Sequence, residues 1–295
     1  MDKVNVFVAG SGMMGSGIAQ VCATAGHKVF LWDIDEIMLA NAKVKIEKSL
    51  QSRVEKGKLT EKDSSSIMDN IKAVPDLEEA AQAKLIIEAV PEHIDIKNRL
   101  FNKLDDICSD TSIFASNTSA LSISDLANAT NRADRFIGLH FFSPVPAMKL
   151  VEVVRGLKTS DFTMQFAVNF IEYIGKVGIT VKDTPGFLIN RIMHGFRQEV
   201  LACMEEGVAT IADIDTAVKL GLGHPLGPFE LNDFAGLDIG AATIQTLYEQ
   251  FKDPKWRPNL TMKKLVAAGD LGRKTGKGWY DYTSGEQRVR EDIHI

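Results

Sequence analysis

Little in this chain suits an oxidising compartment, a membrane or a metal. Only three cysteines occur in 295 residues, Cys22, Cys108 and Cys203, far apart and odd in number. They do not make a disulfide framework and read as core or helix-face thiols in a reducing compartment. The histidines, His27, His93, His140, His194, His224 and His294, form no paired-ligand spacing, so no metal is expected. No apolar run is long enough to cross a bilayer, and the opening Met1-Asp2-Lys3 lacks the basic region and apolar stretch of a secretory signal. A cytoplasmic location without a membrane partner is therefore expected. A net charge of -5 with no dominant basic face argues against a nucleic-acid partner. Nor does a GxSxG elbow surround Ser119, which leaves a serine-hydrolase reading without support.

What is present points elsewhere. With 45% hydrophobic residues the chain can bury two moderate cores. Residues 4–9 read as a buried strand running into Gly10-Ser11-Gly12-Met13-Met14-Gly15 and then a helix. That order suits a dinucleotide. Gly10 permits the tight turn, Gly12 lets the backbone approach a pyrophosphate, and Gly15 allows close helix-strand packing. The free N–H groups of the helix's first turn would hold the phosphate charge. A second strand over 28–33 ends on Asp33, placed to take the ribose hydroxyls and to repel a 2'-phosphate, so the expected cofactor is NAD and not NADP.

The expected fold is α/β, a Rossmann-type parallel sheet with a helical excursion, followed by an all-helical domain. The excursion takes a long helix over 37–56, with one face at Met38, Ala42, Ile46 and Leu50, then a shorter helix over 61–71. Its tip carries Arg53, Lys56 and Lys58. The chain returns to a third strand at 85–90, and Glu92 and Lys97 follow at the sheet's carboxyl edge. Further strands are expected at 112–116, 136–140, 148–154 and 176–181. Pro185 and Gly186 punctuate a seam, giving a dinucleotide-binding domain over 1–184 and a helical domain over 185–295. Helices are expected there at 188–206, 211–220, 231–252 and 259–268, and a subunit interface on that domain.

His140, at the end of its strand, is the candidate base, and Glu152, flanked by Val151 and Val153, needs a buried partner. With the carboxylate on one ring nitrogen, the other is held free to take a proton from a substrate hydroxyl while hydride leaves the same carbon. Ser119 and Asn190 are the polar partners, one after the fourth strand and one just past the seam.

The stretches at 10–20, 115–119 (Ala-Ser-Asn-Thr-Ser), 138–146 (Gly-Leu-His-Phe-Phe-Ser-Pro-Val-Pro), 148–152 (Met-Lys-Leu-Val-Glu), 183–191, 224–228 and 272–282 together closely resemble the 3-hydroxyacyl-CoA dehydrogenase family, in its short single-function form. The resemblance implies interconversion of (S)-3-hydroxybutyryl-CoA and acetoacetyl-CoA with NAD(H). It implies His140 as base, Glu152 as its orienting carboxylate, and Ser119 and Asn190 as substrate contacts. Gly10, Gly12, Met13, Met14, Gly15, Asp33, Glu92, Lys97, Asn117, Ser119 and Ser143 would bind the cofactor. Arg53 and Lys56 would reach the coenzyme A phosphates, and a homodimer would form through the helical domain. Ser11, Met13, Ser143 and Ser52 depart from the residues usual in the family. A dehydrogenase of a free hydroxy or sugar acid and a non-catalytic dinucleotide-binding protein are the alternatives.

Overall fold

The structure, a computed structural model, describes residues 2–290, 292 and 293; His294 lies outside them. The chain forms two compact units that part between Phe187 and Leu188.

The first unit is a doubly wound sheet. Its strands are β1 (Asn5–Ala9), β2 (Lys28–Trp32), β3 (Ile71–Val74), β4 (Leu85–Glu88), β5 (Ile113–Ser116), β6 (Phe136–Phe141), β7 (Leu150–Arg155) and β8 (Val177–Lys182). They lie in the order β3-β2-β1-β4-β5-β6-β7-β8. The order reverses at β1, where β2 and β4 flank it, and such a switch point opens a crevice at the strands' carboxyl ends. All neighbours run parallel except β6 and β7, which are antiparallel. Alternate side chains fill two layers. Val6, Val8, Ile87 and Ala115 pack under α1 (Met13–Thr24), α2 (Glu36–Glu55) and α6 (Asp161–Tyr173). Phe7, Ile86, Phe114 and Phe136 pack under α4 (Ile94–Ile107) and α5 (Ile123–Ala127) on the other face. The central strands are buried on both sides, which is why they read as continuous apolar runs.

Two sequence expectations need correction here. The chain does not pass directly from the shorter helix, α3 (Glu61–Asp69), to the strand at 85; β3 intervenes and pairs with β2 through Val29↔Ile71 to Trp32↔Val74. Four residues at a sheet edge, buried only at Ile71 and Val74, show neither alternation nor a run. In α2 the buried face is Leu39, Ala42, Ile46 and Leu50, while Met38 is 40% exposed. Asp35 caps that helix through Ile37 and Met38 N–H. At 3.6 residues per turn each step of four drifts by about 40°, so a face read through 38, 42, 46 and 50 leaves the apolar stripe at its first member, and Leu39 takes that place.

The second unit comprises α7 (Ile189–Glu205), α8 (Ile211–Leu222), α9 (Pro228–Ala235), α10 (Leu237–Phe251) and α11 (Leu260–Ala267), around Leu201, Phe229, Ile244, Leu247 and Trp279. The single helix expected over 231–252 is broken at Gly236, whose φ of 101 lies outside the helical region, and Leu237 N–H bonds the carbonyl of Leu271. A small antiparallel ribbon, β9 (Tyr280–Asp281) with β10 (Arg288–Val289), makes this unit helical with one short hairpin. Two fully buried aspartates tie the ribbon to the helices. Asp215 accepts from Phe229 N, Glu230 N and Tyr280 Oη, and Asp233 from Trp279 N, Tyr280 N and Tyr282 Oη.

Candidate active site

The glycine-rich turn leaves β1 through Gly10, at φ 100, and a Cβ on Gly15 would collide with the carbonyl oxygen of Gly10. Both positions therefore need glycine. Gly12 caps α1 without a side chain and has open space around it, leaving the first N–H groups of the helix to an anion. Asp33 follows β2. Its Oδ2 accepts from both the N–H (2.6 Å) and the Oγ (2.7 Å) of Ser11, and its Oδ1 accepts from Asp35 N (3.1 Å). Gly10, Gly12, Met13, Met14, Asp33 and Val90 line a cleft of about 1680 Å3 on this edge of the sheet. Its bare-backbone turn, helix N-terminus and terminal carboxylate fit a dinucleotide. Ser143, after β6, reaches the same turn, with its Oγ 3.6 Å from Met13 Sδ.

The chemistry-bearing side chains stand where β5, β6 and β7 meet. The antiparallel register pairs His140 directly with Glu152, so both project to one face. His140 Nδ1 lies 2.6 Å from Glu152 Oε2, with His140 5% and Glu152 0% exposed. A buried carboxylate at that distance fixes the proton on Nδ1 and leaves Nε2 to exchange protons. Nε2 is 3.1 Å from Ser119 Oγ. The imidazole is walled by Phe142 and Phe187, with ring centroids 4.6 and 5.7 Å away.

The turn bearing Ser119 is clasped from below. Glu92 Oε1 accepts from Thr118 Oγ1, Ser119 N (2.9 Å) and Ala120 N (3.2 Å). Lys97 Nζ sits 3.2 Å from Glu92 Oε2 and 2.5 Å from Glu88 Oε1. Burial raises the Glu88 carboxyl above the usual carboxylate range, with Lys97 and its hydrogen bonds opposing. Burial acts on Glu92 as well, but Lys97 and the donors from Thr118 and Ser119 leave it below its ordinary value. Lys97, expected at the cofactor, is itself only 1% exposed and committed to these two carboxylates. Asn117, expected there too, is 8% exposed, and its Oδ1 accepts from Phe141 N (2.9 Å), locking the ends of β5 and β6 together.

Of the remaining residues, Arg53 lies half-buried in the last turn of α2, Lys56 follows that helix, exposed at the excursion's tip, and Asn190 lies in the first turn of α7 in the second unit. Sequence reasoning missed Glu88 and gave Ser11 no partner. The glutamate looked like one more residue of an apolar strand, and its signal was the unexplained charge in Leu85-Ile-Ile-Glu88. Among the described residues no cluster of His, Cys, Asp or Glu could hold a metal ion, and no helix is long and apolar enough to cross a membrane.

Comparison with known proteins gives consistent matches. A family model described as 3-hydroxyacyl-CoA dehydrogenase, NAD binding domain, matches residues 5–184, and one described as 3-hydroxyacyl-CoA dehydrogenase, C-terminal domain, matches residues 186–282. The chain is 43% identical over 282 residues to a probable 3-hydroxybutyryl-CoA dehydrogenase of Bacillus subtilis, covering 96% of this chain and 98% of that protein. It is 44% identical over 286 residues to the mitochondrial hydroxyacyl-coenzyme A dehydrogenase of Rattus norvegicus, covering 94% and 91%. The crystal structure of (S)-3-hydroxybutyryl-CoA dehydrogenase from Ralstonia eutropha matches with a TM-score of 0.93 at 43% identity, covering 96% of this chain and 100% of that one.

Proposed function

Since the chain belongs to the 3-hydroxyacyl-CoA dehydrogenase family, and is thereby an NAD-dependent oxidoreductase, we propose that it interconverts (S)-3-hydroxybutyryl-CoA and acetoacetyl-CoA, with His140 as the proton-transfer group. The observation that carries this reading is the line Glu152 Oε2, His140 Nδ1, His140 Nε2, Ser119 Oγ, at 2.6 and 3.1 Å. NAD+, when bound, supplies the hydride acceptor. In the oxidising direction His140 Nε2 takes the proton of the C3 hydroxyl, and Glu152 stabilises the imidazolium so formed. In the reducing direction the same nitrogen returns the proton to the C3 oxygen. Ser119 Oγ–H donates toward that oxygen and holds it within reach of Nε2. The aromatic walls of Phe142 and Phe187 keep the ring from swinging and keep bulk water off it.

On this reading residues 5–184 hold the cofactor, Asn190 is a substrate contact through its motif, and Arg53 and Lys56 meet the coenzyme A phosphates. The acyl-CoA is then recognised at two ends, by charge at the excursion's tip and by the His140 line at C3. We assign the second unit to substrate binding and dimerisation; Ile192, Phe234 and Ile239, each more than half exposed on it, supply apolar surface for a second copy. A cytoplasmic location completes the reading.

The test is steady-state oxidation of NADH with acetoacetyl-CoA, free acetoacetate and longer 3-ketoacyl-CoAs, with NADPH in parallel. Turnover that needs both NADH and the coenzyme A moiety is expected. Equal rates on free acetoacetate, or no turnover of any thioester, would sink the substrate assignment.

A further inference from the structure

Glu88 is 0% exposed and Lys97 1%. An ion pair this deep costs desolvation that its attraction does not reliably return, and a pair of apolar side chains would serve stability at least as well. What the pair provides here is geometry. Glu88 Oε2 accepts from Ser116 Oγ (2.6 Å), and Ser116 Oγ in turn accepts from Thr118 N (3.2 Å). Glu88 Oε1 accepts from Lys97 Nζ (2.5 Å) and Val90 N (2.7 Å). Lys97 passes the constraint to Glu92, and Glu92 returns it to Thr118, Ser119 and Ala120. Hydrogen bonds and the Lys97–Glu92 ion pair close into a ring, Glu88, Lys97, Glu92, Thr118, Ser116 and back to Glu88. Residues 116–120 are gripped on the strand side by Glu88 and on the turn side by Glu92.

The ring ends one hydrogen bond from His140. Ser119 takes its backbone position from Glu92, and its Oγ stands 3.1 Å from Nε2. Glu88 is the charged residue of β4 that bonds β5 directly, through Ser116, and it also anchors the lysine that holds Glu92, so both grips on the turn lead back to it. We propose that Glu88 is a positioning residue for the reaction: through Ser116 on one side and Lys97–Glu92 on the other, it holds Ser119 Oγ against His140 Nε2. The inference rests on the reading of Ser119 as a group at the reacting centre. Glu88 itself touches neither substrate nor cofactor.

A double-mutant cycle tests it, because an effect exerted through Ser119 must vanish once the Ser119 hydroxyl is gone. Glu88→Gln keeps the shape and loses the charge that anchors Lys97. Its kcat for acetoacetyl-CoA reduction at saturating NADH is expected to fall about 10- to 100-fold, with KM for acetoacetyl-CoA changing much less. In the Ser119→Ala background the same substitution is expected to leave the residual kcat unaltered. The His140 ring 15N shifts provide a readout free of substrate, moving with Glu88→Gln in the native background and not in Ser119→Ala. An unchanged kcat and unchanged shifts in Glu88→Gln would overturn the proposal, as would an equal fold-loss in both backgrounds, the mark of a merely structural role. Should Glu88→Gln not fold, Ser116→Ala, which cuts the ring at a small side chain, is carried through the same cycle. If the native protein does not turn over acetoacetyl-CoA, the substrate reading has failed, and the 15N shifts still decide the role of Glu88.

Discussion

One carboxylate oxygen of Asp33, Oδ2, accepts both the backbone N–H and the hydroxyl of Ser11. The residue proposed to meet the cofactor's ribose is thus also the strut that holds the glycine-rich turn, and Ser11 supplies both donors of that strut. Ser11→Ala removes the hydroxyl bond and keeps the N–H bond. NADH affinity is expected to drop about 10-fold, in line with a lost hydrogen bond to a charged group, with kcat at saturating NADH little changed. Fluorescence titration with NADH checks it, and an unaltered dissociation constant would refute the strut. Asp33→Ala, which also removes the repulsion of a 2'-phosphate, is expected to narrow the gap between NADH and NADPH.

His140→Ala is expected to reduce kcat by about 10^2- to 10^4-fold, the range for a lost general acid-base, while NADH still binds. Glu152→Gln is expected to lower kcat and change the shape of the pH-rate profile with little effect on cofactor affinity. Substantial residual turnover in the first variant, or a superimposable profile in the second, contradicts the assigned roles.

Lys56→Ala and Arg53→Ala are expected to raise KM for acetoacetyl-CoA several-fold without moving kcat, because charges remote from the reacting carbon contribute binding common to ground and transition states. A short thioester that lacks the phosphates should not distinguish either variant from the native protein. If it does, the charges at the excursion's tip act through the fold.

Stability should carry an acid-sensitive contribution from His194 on α7. Burial, with Arg197 adding, pulls its imidazole down to about 3, and its Nδ1 has no hydrogen-bond partner among the described residues. The folded state therefore keeps this ring neutral while the unfolded chain protonates near the ordinary histidine value. Its contribution is whole above about pH 6.5 and is lost as the pH falls from there toward 3. Melting temperatures of the native protein and His194→Leu, followed from pH 7.5 to 4, are expected to show a shallower decline in the variant. Parallel declines would remove His194 from the account.

Much of this was legible in the order of residues. A strand, Gly10-Ser11-Gly12-Met13-Met14-Gly15 and a helix define the dinucleotide edge because a bare turn against a helix N-terminus tolerates few alternatives. His140 and Glu152 stood out as polar groups in apolar strands, and their antiparallel register brings the two face to face. What was hidden depends on contacts distant in the chain. Glu88 and Ser116, separated by 28 positions, are joined only because β4 and β5 are neighbours. Asp183, read as part of the seam, caps α5 through Ile123 N, Ser124 N and two serine hydroxyls. The edge strand β3 escaped notice because it is too short to show a period. The break at Gly236 escaped because the apolar positions on either side of it continue one helical pattern.

Phe187, the last residue of the first unit, is buried and holds φ at 45, a conformation that costs a side-chain-bearing residue roughly 1–2 kcal/mol. Glycine would relieve the backbone at once, but glycine has no ring to lay beside the His140 imidazole. The two demands on this position conflict, and the chain has resolved the conflict in favour of the ring. A Phe187→Gly change should therefore ease the local backbone while loosening the imidazole it walls, an instance in which comfort for the main chain and competence of the reacting nitrogen are opposed in one residue.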